Sequence, residues 1–310
     1  MMLLSIALLI IGFVLLIRGA DFFVDGASAL ANRMCIPPII IGLTVVAMGT
    51  SAPEAAVSIS SAMAGSNAIA IGNVLGSNIA NILLILGLTA YITTLNVQKN
   101  TIRYEMPFMI AITLLLGFMG WNFGHISQAS AAILLLIFAM FLGYLYIISK
   151  HNTSDVIEIK NLSGTKIILY ILLGMIALVI GSKLTVDSAC EIARFIGISE
   201  RVIGLTIVAI GTSLPELVTS AIAAKKGESD IAIGNIVGSN IFNILFVLGI
   251  AGIILPIPYG HEFIFDSIIA ILAALLLLIF TFHNQKMGKK TGIFFILLYI
   301  LYLMWLIFTK

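Results

Sequence analysis

Two glutamates stand where a carboxylate is expensive. Glu54 and Glu216 lie deep inside apolar runs, within Gly49-Thr50-Ser51-Ala52-Pro53-Glu54 and Gly211-Thr212-Ser213-Leu214-Pro215-Glu216. In a chain that crosses a bilayer, a carboxylate at the centre costs at least about 3 kcal/mol unless it meets a partner, an ion or a water-filled cavity. One reading pairs each acid with a base on another helix, Arg18 and Lys183 being the candidates. The neighbouring residues favour an ion. Each glutamate follows a proline, which removes an amide donor and clashes with the carbonyl four residues back. Gly49 and Gly211 occupy those positions and let the backbone yield. The expected product is a helix broken at mid-membrane with loosened carbonyls. Lipid tolerates such backbone only where protein buries it or where it lines a cavity. At helical spacing Ala47, Thr50, Ser51, Glu54 and Ser58 share one broad face.

A second polar set follows each motif. Asn73, Ser77 and Asn81, and likewise Asn235, Ser239 and Asn243, stack at i, i+4, i+8 on one helical stripe. They read as cation ligands. Gly72, Gly76, Gly234 and Gly238 are expected to interrupt these helices and to let backbones approach. Asn78 and Asn240 lie off the stripe, and both a ligand role and simple helix-to-helix bonding stay open for them. The pooled donors are all oxygen, the set hard cations want, and calcium takes six to eight such ligands. Cys35 and Cys190 have no CxxC spacing and read as free thiols, while the four histidines fall where apolar runs end. Zinc and copper are therefore poorly matched. No HExxH, nucleophile elbow or P-loop supports a membrane enzyme or an ATP-driven pump, and no cofactor is expected.

Positioning these groups requires membrane-spanning helices. Of 310 residues, 61% are hydrophobic and 10% charged, whereas soluble domains carry about 25% charged residues. Ten apolar segments can be drawn, at 2–30, 37–62, 68–94, 104–121, 127–149, 165–192, 199–223, 230–255, 261–283 and 290–308. The first lacks the basic n-region and A-x-A site of a signal peptide and reads as a retained transmembrane helix. Lysine and arginine crowd the loops after odd-numbered segments, among them Arg33, Lys99, Lys150, Lys225, Lys226 and Lys286. The opposite side holds only Arg194, Arg201 and Lys310. This asymmetry places both termini outside. Arg18 with Asp21, and Lys183 with Asp187, have the spacing of local ion pairs near a membrane edge.

The chain also repeats itself. Shifted by 162 residues, 41–87 falls on 203–249 without a gap, and 28 of the 47 positions match. Each half holds five segments, so the second half enters the membrane from the opposite side, an inverted repeat. The halves run 1–149 and 165–310. The linker 150–164 is short, has only Asp155 and Glu158 as acids, and carries no EF-hand pattern.

GTS-x-PE followed by GN-x-x-GSNI-x-NI, present in both halves, resembles the α-repeats of the cation/calcium antiporter superfamily, in particular its sodium/calcium exchanger branch. The resemblance covers roughly 37–90 and 199–252. It implies an all-α membrane protein of ten transmembrane helices in two inverted five-helix repeats, with broken helices at the midplane. It implies a Na⁺/Ca²⁺ antiporter in the cell membrane, working by alternating access with three Na⁺ per Ca²⁺. Glu54 and Glu216 would be ligands shared by both ions. Thr50, Ser51, Ser77, Thr212, Ser213 and Ser239 would supply sodium-site oxygens with the carbonyls of Ala47 and Ala209. Asn81 and Asn243 would complete the centre. The first and sixth helices would slide against the rest. Many members carry aspartate where this chain has Asn243, which leaves ion number and potassium dependence open. The proton-coupled branch usually places an acid at Gly76-Ser77 and resembles this chain less. A Ca²⁺/H⁺ exchanger remains the near alternative, and a cation channel the distant one. The partners implied are Ca²⁺, Na⁺ and the lipid bilayer, with no nucleic acid and no obligatory protein partner.

Overall fold

The computed structural model describes residues 2–65, 67–151, 162–197 and 209–309. Among the described residues the regular structure is helical apart from two short ribbons. Among the described residues eight helices are long and apolar enough to cross a membrane. They are α1 (Met2–Met34), α4 (Ala68–Ile92), α5 (Thr101–Phe123), α6 (Gln128–Lys150), α7 (Gly164–Phe195), α10 (Ser229–Ile254), α11 (Phe263–Phe282) and α12 (Lys289–Leu306). A bent pair, α2 (Pro38–Thr50) and α3 (Ala52–Met63), turns by 50° and makes up a ninth. The seventh segment expected from sequence begins at 199–208, outside the described residues. Its described part is α8 (Ala209–Gly211) and α9 (Leu214–Lys225). Linker residues 152–161 also lie outside.

The polarity of the molecule is that of a protein dissolved in lipid. Leu3, Trp121 and Phe308 are 81%, 69% and 84% exposed, while Glu54 and Glu216 are 1% and 0% exposed. Apolar side chains facing outward on long helices are stable against acyl chains. The chain is a multi-pass membrane protein.

Proline sets the breaks as expected. Pro53 and Pro215 sit in the first turn of α3 and α9, where a missing N–H costs nothing. Ser51 (φ −82°, ψ 10°) and Ser213 (φ −87°, ψ 7°) hold the non-helical step before them. Both second half-helices end in a glycine with positive φ, Gly65 at 75° and Gly227 at 84°, a conformation that suits glycine after a helix terminus.

The glycines of α4 and α10 do something other than expected. Asn67–Ala80 and Ser229–Phe242 are continuous α-helix through Gly72, Gly76, Gly234 and Gly238. In lipid no water replaces a broken ladder, so glycine alone does not open it. The regular helix gives way instead to π-helical turns at Asn81–Leu86 and Asn243–Val247. Close approach does hold for the second half. A Cβ on Gly234 would lie 2.8 Å from the Ile39 carbonyl oxygen, and one on Gly238 2.6 Å from that of Leu43. Backbone of α10 therefore packs directly on backbone of α2.

α1 and α7 pair along a second glycine seam. A Cβ on Gly174 would lie 2.7 Å from the Gly19 carbonyl oxygen, and one on Gly181 2.8 Å from the Leu16 nitrogen. Small residues let membrane helices meet backbone to backbone. Two antiparallel ribbons tie loops together: β1 (Leu95–Asn96) with β4 (Lys286–Met287), and β2 (His125–Ile126) with β3 (Ile257–Pro258).

Candidate cation site

The breaks in α2–α3 and α8–α9 bring the two glutamates into one site, and they do so crosswise. Ser51 Oγ donates to Glu216 Oε1 at 2.7 Å, and Ser213 Oγ donates to Glu54 Oε1 at 3.1 Å. Each half's serine thus holds the other half's carboxylate. Both acids lie in the first turn of a half-helix, where the positive end of the helix dipole favours an anion.

These bonds use one oxygen of each carboxylate. Glu54 Oε2 and Glu216 Oε2 are buried with no protein partner. Ser77 Oγ, Asn81 Oδ1, Thr212 Oγ1 and Asn243 Oδ1 share that condition. A buried polar atom left unsatisfied costs about 1–3 kcal/mol. Six such oxygens fall on residues that the sequence marked as candidate ligands, and oxygen is the donor type that hard cations take. Thr212 flanks Glu54, while Thr50 and Ser239 flank Glu216. Thr50 donates to Asn235 Oδ1 (2.9 Å), Ser51 and Ser213 to the two glutamates, and Ser239 to the Ala47 carbonyl (3.5 Å). A hydroxyl that donates its proton keeps an oxygen able to accept. The Ala47 carbonyl already accepts from the Ser51 amide at 3.0 Å. Ala209 opens α8, just before the second break.

Asn73 and Asn235, read from the stripe as ligands, turn their NH₂ groups to the neighbouring half-helix. Asn73 Nδ2 donates to the Glu54 carbonyl (3.2 Å) and Ser58 Oγ (3.0 Å). Asn235 Nδ2 donates to the Glu216 carbonyl (3.4 Å) and Ser220 Oγ (2.9 Å), and its oxygen accepts from Thr50. Both amides brace a half-helix from behind. Asn78 and Asn240, left open by sequence, are buried cross-links between α4 and α10.

No base neutralises the glutamates among the described residues. The described ion pairs join Lys226 Nζ to Asp21 and Asp25, each at 2.6 Å. The local pairing expected of Asp21 with Arg18 is thus replaced by a contact from α1 to the end of α9. Burial alone would lower the Lys226 ammonium, but hydrogen bonds and charge from both aspartates outweigh it and hold it above its ordinary value. Burial pushes the nearby Glu228 carboxyl up, with the Ser28 hydroxyl opposing. The lysine clips α1 to the core outside the cation site. An exposed pair of this kind is worth about 0.2–1 kcal/mol, so Lys226→Met should change the maximum exchange rate by no more than about fivefold. Initial flux against Ca²⁺ concentration checks this: half-saturation stays put, and a shift in it with unchanged maximum would contradict the placement.

The family model described as sodium/calcium exchanger protein matches residues 4–147 and 166–308. The chain is 37% identical over 290 residues to inner membrane protein YrbG of Escherichia coli (strain K12), covering 89% of each. It is 30% identical over 341 aligned positions to sodium/calcium exchanger MaX1 of Methanosarcina acetivorans, covering 96% of each. Its fold is similar to a solved structure of the sodium-calcium exchanger NCX_Mj, with a TM-score of 0.85 at 33% identity over 97% of this chain and 98% of that one.

Proposed function

The chain belongs to the sodium/calcium exchanger family, a family of transporters rather than enzymes, and on that premise we propose that it exports Ca²⁺ in exchange for inward Na⁺ by alternating access. The observation that carries this reading is the set of buried, unpartnered oxygens around two carboxylates. With both acids ionised the centre holds a charge of −2. One Ca²⁺ or two Na⁺ neutralise it, and a third Na⁺ leaves +1. Either load removes the cost of moving two carboxylates through a low-dielectric barrier, whereas the unloaded carrier keeps that cost. This difference couples the two fluxes. Three Na⁺ per Ca²⁺ moves one positive charge inward per cycle. Among the described residues no third acid joins the pair, since Asn81 and Asn243 are neutral, so no potassium is required.

The architecture proposed is ten helices in two inverted five-helix repeats, 1–149 and 165–310, joined by 150–164. The ribbons support it. β1 and β4 lie in the loops after the third and ninth spans, and β2 and β3 in those after the fourth and eighth. Each pair is separated by an even number of crossings, as sharing one face of the membrane requires. The basic residues place both termini outside a cell membrane. The glycine-lined pair α1 and α7 is the element proposed to move against the core. The protein needs no cofactor and no obligatory protein partner.

Uptake of ⁴⁵Ca²⁺ into proteoliposomes tests the reading. An imposed Na⁺ gradient should drive it, and clamping the membrane potential with valinomycin should change its rate. Uptake driven by a pH gradient in the absence of Na⁺ would favour a Ca²⁺/H⁺ exchanger. Flux indifferent to voltage would reject three-for-one exchange.

A further inference from the structure

Four buried asparagines, two from each half, form a closed set between α4 and α10. Asn78 Nδ2 donates to the Asn240 backbone carbonyl and Asn240 Nδ2 to the Asn78 backbone carbonyl, both at 3.2 Å. A backbone carbonyl can only accept, so the group facing it must be the NH₂. The side-chain oxygens of Asn78 and Asn240 are thereby fixed on the other side. Asn243 Nδ2 donates to Asn78 Oδ1 at 3.2 Å, and Asn81 Nδ2 donates to Asn240 Oδ1 at 2.9 Å. That in turn fixes Asn81 and Asn243. Their amides are spent outward, and their Oδ1 atoms are the ones left buried without a partner.

Shape cannot do this work, because an amide and its flipped form are nearly isosteric. Hydrogen bonds alone choose between an oxygen that attracts a cation and an NH₂ that repels it. We propose that Asn78 and Asn240 are positioning residues that orient the Asn243 and Asn81 amides, each acting on the asparagine of the opposite half, so that oxygen faces the cation. This deepens the cation-site reading and rests on it.

The role predicts a specific non-additivity. An ionised aspartate at 243 has only acceptor oxygens, so it has no donor for Asn78 Oδ1 and no wrong face, and Asn78 no longer orients it. Equilibrium ⁴⁵Ca²⁺ binding and sodium-driven uptake are measured on full-length wild type, Asn78→Ala, Asn243→Asp and the double variant, with melting temperature as a fold control. Asn78→Ala should weaken Ca²⁺ binding at least about tenfold in the wild-type background and less than about twofold in the Asn243→Asp background, the coupling expected of residues that act as one unit. If Asn78→Ala does not fold, the mirror cycle of Asn240→Ala with Asn81→Asp decides by the same ratios. Equal losses in both backgrounds mean helix bonding only and overturn the proposal, as does wild-type binding in Asn78→Ala. Wild type that binds no Ca²⁺ would strike the cation-site reading instead.

Discussion

Replacing Glu54 or Glu216 by glutamine should abolish calcium exchange and leave a folded protein. Glutamine keeps the shape, and its amide oxygen can still accept from Ser213 or Ser51. What it removes is one of two formal charges facing the ion. Losing about 2.8 kcal/mol of ion binding corresponds to roughly a hundredfold loss at 1.4 kcal/mol per decade. Stability should move the other way. A carboxylate in the membrane interior is costly without its ion, so neutralising it should leave the melting temperature in ion-free buffer unchanged or higher. Proteoliposome ⁴⁵Ca²⁺ uptake and thermal melting of the same preparations check both halves of this. Near wild-type uptake in either variant, or a large drop in melting temperature, would mean that the acids are structural.

Gly238→Val should have an effect of similar size by a different route. A Cβ at Gly238 would lie 2.6 Å from the Leu43 carbonyl oxygen and 2.7 Å from the Leu43 Cα. Those are backbone atoms and cannot rotate away. Overpacking a core costs about 1–3 kcal/mol where side chains can adjust, and here α10 and α2 must separate instead. Gly238 immediately precedes Ser239, whose hydroxyl meets the Ala47 carbonyl of α2. Separation there pulls the ligand-bearing halves apart. The variant is expected to lose exchange and to melt well below wild type. Full flux at an unchanged melting temperature would show that the crossing is looser than its backbone contacts imply.

The features legible in sequence were those that repeat locally. Proline after a glycine-threonine-serine step gave the breaks, and the 162-residue repeat gave the pairing of like motifs. The two glutamates and their hydroxyl neighbours stood out as candidates because a polar group inside an apolar run is costly without a partner or an ion. What escaped were facts that arise only when two halves pack. No periodicity within 41–54 reveals that Ser51 serves Glu216 rather than Glu54. Asn73 and Asn235 share a stripe with the candidate site residues, yet their NH₂ groups bond backbone carbonyls across the helix pair. Asn78 and Asn240 point to a neighbouring helix whose position the stripe does not encode. The π-helical turns at Asn81 and Asn243 have no simple residue signal, although each begins at a predicted ligand. Asp21 looked local because Arg18 was three residues away, whereas Lys226, which holds both Asp21 and Asp25, is distant in sequence and adjacent in space.

On the proposed reading, calcium and sodium compete for one site built on Glu54 and Glu216. Equilibrium ⁴⁵Ca²⁺ binding to the purified protein, at rising Na⁺ and constant ionic strength, tests it directly. The prediction is that Na⁺ raises the apparent Kd for Ca²⁺ with a dependence steeper than first power, while the number of calcium ions bound at saturation stays at one. Calcium binding indifferent to Na⁺ would contradict it.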